Sequence, residues 1–106
     1  MSPLVNQAMA TLTVICNTSS LHPTDEDNVK MYLKALHKHG EDINPAELKI
    51  LAEANNWEKQ PIQQLTKWAE AISTGGRVVI KHKAHVQTEK QIIAHLNSRM
   101  KENSKL

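Results

Sequence analysis

The sequence predicts an all-α fold: a single small domain of about five short helices, orthogonal or bundle-like in packing, with one extended connector before the last helix. Three observations predict it. The 106 residues include no phenylalanine, and the only aromatics are Tyr32, Trp57 and Trp68, whereas strands favour aromatic and β-branched residues. Apolar residues recur at i, i+3 and i+4, the period of a helix with one buried face. Capping residues stand at the ends of the periodic stretches. A chain of this length suits one domain. It buries roughly two-thirds of its unfolded surface, which makes a thin and mainly aliphatic core.

The first helix is expected from about Pro3 to Cys16, with Ser2 as its cap and Pro3 in its first turn. Leu4, Val5, Ala8, Met9, Leu12, Ile15 and Cys16 share one face. A polar loop follows over Asn17 to Pro23. Thr24 is expected to cap the second helix, whose first turn carries Asp25, Glu26 and Asp27 at the positive end of the helix dipole. Val29, Tyr32, Leu33 and Leu36 form its apolar stripe, and Gly40 ends it. Asn44 with Glu47 forms a capping-box pattern around Pro45 for the third helix, which runs to Asn55-Asn56. Pro61 is expected to open the fourth, which Gly75-Gly76 terminates. Arg77-Val78-Val79-Ile80-Lys81 is β-prone but has no strand partner, so it is expected as an extended connector packed on the helices. Thr88 with Gln91 is a second capping box and opens the fifth helix, with Ile92, Ile93, Leu96 and Met100 facing inward.

The expected organisation is an N-terminal helix and loop over 1–23, docked more loosely, a helical core domain over 24–100, and a frayed tail over 101–106. The core is expected to centre on Leu33, Leu36, Leu51, Trp57, Leu65, Trp68 and Ile72.

The Tyr32-Leu33-Lys34 helix, Asn56-Trp57, Lys67-Trp68-Ala69 and the run Thr74-Gly75-Gly76-Arg77-Val78-Val79-Ile80-Lys81 together resemble the YoaC-like family, small bacterial proteins of unknown function. The resemblance covers about two-thirds of the chain, from about Val29 to Leu96. This chain has Asn56-Trp57 where the family has Gly-Trp, and Gly75-Gly76-Arg77 where the family has Gly-Glu-Arg. The resemblance implies an all-α fold and no established activity, and it transfers no catalytic residue.

Chemistry-bearing patterns are sparse. The single cysteine, Cys16, excludes an internal disulfide and a thiolate metal site. It lies on an apolar face, as a packed thiol does. No positive region precedes the first apolar stretch, and no apolar run approaches the roughly 20 residues that span a bilayer. A cytoplasmic protein is expected, with no membrane partner. His82 and His85 are three apart, but a zinc site needs three or four converging ligands, and no Asp, Glu or Cys is adjacent in sequence to His82. They are expected as exposed loop histidines, and no metal or other cofactor is expected. Ser73-Thr74-Gly75-Gly76-Arg77 follows a helix instead of preceding one, so it is a helix stop and not a phosphate cradle. No carboxylate pair suggests divided acid and base roles. No catalytic residue is expected, and the protein is read as a non-enzyme.

Charge is the strongest remaining signal. Residues 1–76 carry six Lys/Arg and nine Asp/Glu, a balance of −3, while residues 77–106 carry seven and two, a balance of +5. Two functions fit. The leading one is a non-catalytic helical protein that works through protein–protein contact with an unknown partner or with itself. The alternative is a nucleic-acid-binding accessory factor, because helices three and four reproduce helix–turn–helix connectivity. Against the alternative, the second of those helices, read from Pro61, has only Lys67 as a base, and phosphate contacts dominate DNA affinity. In either case the candidate binding surface is Arg77, Lys81, Lys83 and Lys90. Side chains of an extended segment alternate, so Arg77, Val79, Lys81 and Lys83 should share the outer side while Val78, Ile80 and His82 face the helices.

Overall fold

The computed structural model describes residues 2–104 and, for side chains, residues 2–102. All regular structure among them is helical: α1 (Pro3–Cys16), α2 (Pro23–Lys38), α3 (Pro45–Ala54), α4 (Lys59–Ser73) and α5 (Glu89–Ser104), with one short 3-10 turn at Lys83–His85 before α5. The all-α, five-helix domain predicted from sequence is the fold observed.

The helix starts are set by local chemistry. Ser2 accepts the Val5 N–H at 3.1 Å, and Pro3 takes the first position, where its missing donor costs nothing. Asn44 accepts the Ala46 and Glu47 amides at 3.0 and 3.2 Å. Thr88 and Gln91 form the full reciprocal box: the Thr88 N–H donates to Gln91 Oε1 and the Gln91 N–H to Thr88 Oγ1. Two starts differ from expectation. The cap of α2 is His22 in place of Thr24, with His22 Nδ1 accepting the Thr24 N–H at 3.2 Å; Pro23 is pre-set for the first helical position and pulls the boundary back. Likewise α4 begins at Lys59, not Pro61. Pro61 falls at its third position, where the backbone donor it lacks would still have no partner inside the helix.

Three helices stop in the same way. The Gly40 and Glu41 amides close back onto His37 and Leu36, the Asn56 and Trp57 amides onto Glu53 and Ala52, and the Gly75 and Gly76 amides onto Ile72 and Ala71. This paired closure needs a left-handed residue at its centre. Gly40, Asn56 and Gly75 supply it with φ of 88°, 63° and 82°. Asn56 thus does the work of the glycine that the sequence lacks there.

Helix α4 packs on α3 and α2, and α5 lies across α2 and α1. Leu12, Leu33, Leu36, Leu48, Leu65 and Leu96, from all five helices, are fully enclosed between them. The first helix is part of this core and not a loose appendage. It buries Leu4, Val5, Ala8, Met9, Leu12 and Cys16, and Trp57 Nε1 donates to Thr13 Oγ1 at 2.9 Å. At the other end of the loop, the Leu21 N–H donates to Gln60 Oε1 at 3.2 Å.

Of the seven residues expected at the centre, Leu33, Leu36, Trp57, Leu65 and Ile72 are buried. Leu51 and Trp68 are only half-buried against the core. Helix α3 turns Leu48 and Ala52 inward, which leaves Leu51 at the margin. Trp68 lies flat under Lys30, whose Nζ is 4.9 Å from the ring centroid, so one face of the indole serves a cation. Helix α5 continues to Ser104, past the expected fraying at Lys101; positions 105 and 106 lie outside the described residues.

Candidate binding surface

The connector between α4 and α5 has no ladder to satisfy its backbone groups, so its shape depends on side chains from elsewhere. Helix α2 provides them. Asp27 and Lys30 are three apart on one face, and both are buried, at 1% and 7% exposure. Asp27 Oδ1 accepts the Lys81 N–H at 3.1 Å, and Oδ2 accepts the His82 N–H at 2.9 Å. Lys30 Nζ donates to the Val79 carbonyl at 2.9 Å. A carboxylate therefore holds two amides and an ammonium holds a carbonyl, all within four connector residues.

Burial by itself pushes the Asp27 carboxyl upward. The Lys81 amide, the His82 ring, the His82 amide and the charge of that ring outweigh it, and Asp27 ends below the ordinary carboxylate range. It is thus an acceptor on both oxygens. His82 Nδ1 lies 2.8 Å from Oδ2, and since an ionised carboxylate only accepts, Nδ1 carries a proton and Nε2 is directed away from the pair.

This contact corrects the sequence expectation for His82, which placed no carboxylate beside it. Asp27 is 55 positions away in the chain and reads in sequence only as one of three acids in the first turn of α2. A signal was present: positions 27, 30 and 33 run up one face of α2, and Leu33 is core. His85 is exposed in the 3-10 turn. Among the described residues, no three His, Cys, Asp or Glu side chains are grouped so as to hold a metal ion.

The pinned connector shows the expected alternation from Arg77 to Lys81, whereas His82, expected to face the helices, is exposed although its ring reaches Asp27. Val78 and Ile80 are half-buried, while Arg77, Val79, Lys81 and Lys83 are exposed, and so is Lys90 in the first turn of α5. Beside them Arg77, Val78, Lys34 and Lys38 line a cleft of about 510 Å³ whose wall includes Gly75 and Gly76. Glu89, also in the cleft, pairs with Lys38 at 3.1 Å. The α3–α4 pair shows a different surface. The outer positions of α4 are Lys59, Gln60, Gln63, Lys67 and Glu70, and Gln60 is engaged with the Leu21 amide. Cys16 is fully buried, and burial, with the Asp25 carboxylate adding to it, pushes its thiol up to about 12. A thiol so placed is not an activated nucleophile. No helix is long and apolar enough to cross a membrane among the described residues.

A family model described as a domain of unknown function, DUF1889, matches residues 1–97. A crystal structure of a protein from Salmonella typhimurium superposes with a TM-score of 0.77 at 24% identity, covering 95% of this chain and 99% of that one. At that identity the likeness concerns the fold. A search of curated proteins finds no match.

Proposed function

The chain belongs to the DUF1889 family of unknown function, which brings no activity with it, and we propose that the protein is a non-catalytic, cofactor-free binding protein that meets an acidic protein surface through its basic connector. The finer kinship with YoaC-like proteins, resting on the motifs from Tyr32 to Lys81, and a cytoplasmic location belong to the same proposal. The observation that carries it is the pinning of the connector by Asp27 and Lys30. Two buried charged side chains are committed to the backbone of a segment with no regular structure, and the outward product is a fixed row of Arg77, Lys81 and Lys83. Rigid placement lowers the entropy lost on binding. An acidic partner suits the +5 balance of residues 77–106.

Nucleic acid is the less favoured partner. The helix that would enter the groove presents two lysines, two glutamines and one glutamate, a weak reader of phosphate. A second copy of the chain, with its acidic first three-quarters, also satisfies the proposal. The test is the triple substitution Arg77→Ser, Lys81→Ser and Lys83→Ser in pull-downs at low and moderate salt, with parallel nuclease treatment and with folding checked by circular dichroism. Capture of a protein that survives nuclease and is lost in the triple variant supports the proposal. Capture abolished by nuclease replaces it with the nucleic-acid reading. Capture unaffected by the substitutions removes the connector from the interface.

A further inference from the structure

We propose that the cleft between the last turns of α2, the α4 stop and the start of α5 is a binding site for a small anion bearing a phosphoryl group. This goes beyond the partner surface, since its key cation, Lys34, lies outside the connector. Lys34, Lys38 and Arg77 line the cleft, against Glu89 as the carboxylate. Glu89 is engaged by Lys38. Neither the Lys34 nor the Arg77 side chain has an ion-pair or hydrogen-bond partner among the described residues.

Lys34 is half-buried, so its charge is partly withdrawn from water. It stands four residues before Lys38 on the same helix, but Lys38 is engaged by Glu89 at 3.1 Å, so Lys34 and Arg77 are the cations left for a ligand. The floor is apolar, made by Ile72 and Val78. With Lys38 and Glu89 paired, the charge left in this concave site is that of Lys34 and Arg77, which favours an anion. Gly75 and Gly76 raise no side chain from the adjoining wall, and a Cβ built at Gly75 meets nothing within 4 Å. That leaves room for a ligand, while the Gly75 and Gly76 amides are spent on the helix stop and donate nothing to it.

A helix-dipole role accounts for His37 and Lys38 in the last turn of α2. It does not account for Lys34, one turn earlier, or for Arg77 on a different segment. The Arg77 guanidinium fork and the Lys34 ammonium supply the donors that the several oxygens of a phosphoryl group accept. The volume of about 510 Å³ exceeds one phosphate and lies within the roughly 300–1,000 Å³ of small-molecule sites.

The test is a titration of the full chain with inorganic pyrophosphate, and separately with citrate, at constant ionic strength, followed by amide chemical shifts. The expected result is saturable shifts at Gly75, Gly76, Arg77, Val78 and Glu89, with a dissociation constant of about 1 mM or tighter for pyrophosphate. The double substitution Lys34→Gln and Arg77→Gln should weaken binding by about tenfold or more. The double substitution Lys59→Gln and Lys67→Gln, the same loss of two positive charges on the outer face of α4, should leave it unaltered. If the double variant melts early, the exposed Arg77→Gln alone carries the test. Non-saturating shifts spread over all lysines, or equal binding by the variant, overturn the site. Tighter binding of citrate than of pyrophosphate overturns the phosphoryl assignment.

Discussion

Asp27 and His82 face each other across the junction of α2 and the connector, with Oδ2 and Nδ1 2.8 Å apart and the Asp27 side chain 1% exposed. The same oxygen also takes the His82 amide, and its twin takes the Lys81 amide. One carboxylate thus sets both the path of the connector and the direction of the His82 ring.

Replacing Asp27 by Asn should therefore loosen the connector before it unfolds the domain. The loss expected at pH 7 is about 1–3 kcal/mol, the cost of leaving buried donors without their charged acceptor. Amide exchange at Lys81 and His82 should quicken while Leu33 and Leu65 stay protected. The folded-state pKa of Asp27 is lowered, so it lies below the unfolded value of about 3.9. Its contribution is then complete above that value and disappears as pH falls through the folded pKa. Urea midpoints of wild type and variant should differ at pH 7 and converge on acidification below about pH 4. A gap that widens in acid would sink the assignment.

The contact between Trp57 Nε1 and Thr13 Oγ1 gives a second expectation. Thr13→Val keeps the shape and removes the acceptor, leaving the indole N–H of a buried tryptophan unpaired. The cost should be about 1–2 kcal/mol in urea unfolding. Thr11→Val, which loses only a hydroxyl bond to the Gln7 carbonyl within α1, should cost less. Equal losses would mean that the α1 attachment does not depend on this hydrogen bond.

How much of this was legible in the sequence depended on range. Ser2, Asn44, Gly40, Gly75 and the Thr88–Gln91 pair act within four residues of themselves, and each does what its type and spacing predict. The alternation of Val78 and Ile80 against Arg77, Val79, Lys81 and Lys83 was legible for the same reason. The start of α2 was misplaced because Pro23, not the nearest hydroxyl, takes the first helical position, and that of α4 because a proline is tolerated as far in as the third position. Asp27 was missed because its partners lie more than fifty positions away. In sequence it belongs to an acidic first turn, and only tertiary packing separates it from Asp25 and Glu26. Trp68 was overestimated as core because its indole is shared between the aliphatic interior and the Lys30 ammonium.

Cys16 should be silent in the native protein. With its thiol pushed up to about 12 by burial and Asp25, roughly one part in ten thousand is thiolate at pH 8. Labelling with an aromatic disulfide reagent at pH 8 should be slow in buffer and fast in denaturant. The native rate should follow the rate or extent of opening of α1. Prompt stoichiometric labelling without unfolding would contradict the burial of that helix face.

Glycine at three positions separates two kinds of backbone demand. Gly40 and Gly75 have φ of 88° and 82°, and a Cβ at either meets nothing within 4 Å. Alanine there is opposed only by the left-handed conformation, a penalty of about 1–2 kcal/mol. Gly76 is different. Its φ is not positive, but a Cβ would stand 2.8 Å from the Ala71 carbonyl oxygen, the same oxygen that accepts the Gly76 N–H at 2.7 Å. That neighbour is backbone inside a helix and cannot rotate away. Gly76→Ala must either break the closing hydrogen bond or lift the connector from α4, and Arg77 and Val78 would move with it. Its melting midpoint should fall further than that of Gly40→Ala. Amide exchange should quicken from Gly76 through Val79 in the Gly76→Ala variant and remain unchanged there in Gly40→Ala. If Gly76→Ala proved as stable as wild type, the tight turn that feeds the connector would not have the geometry described, and the fixed position of Arg77 would lose its support.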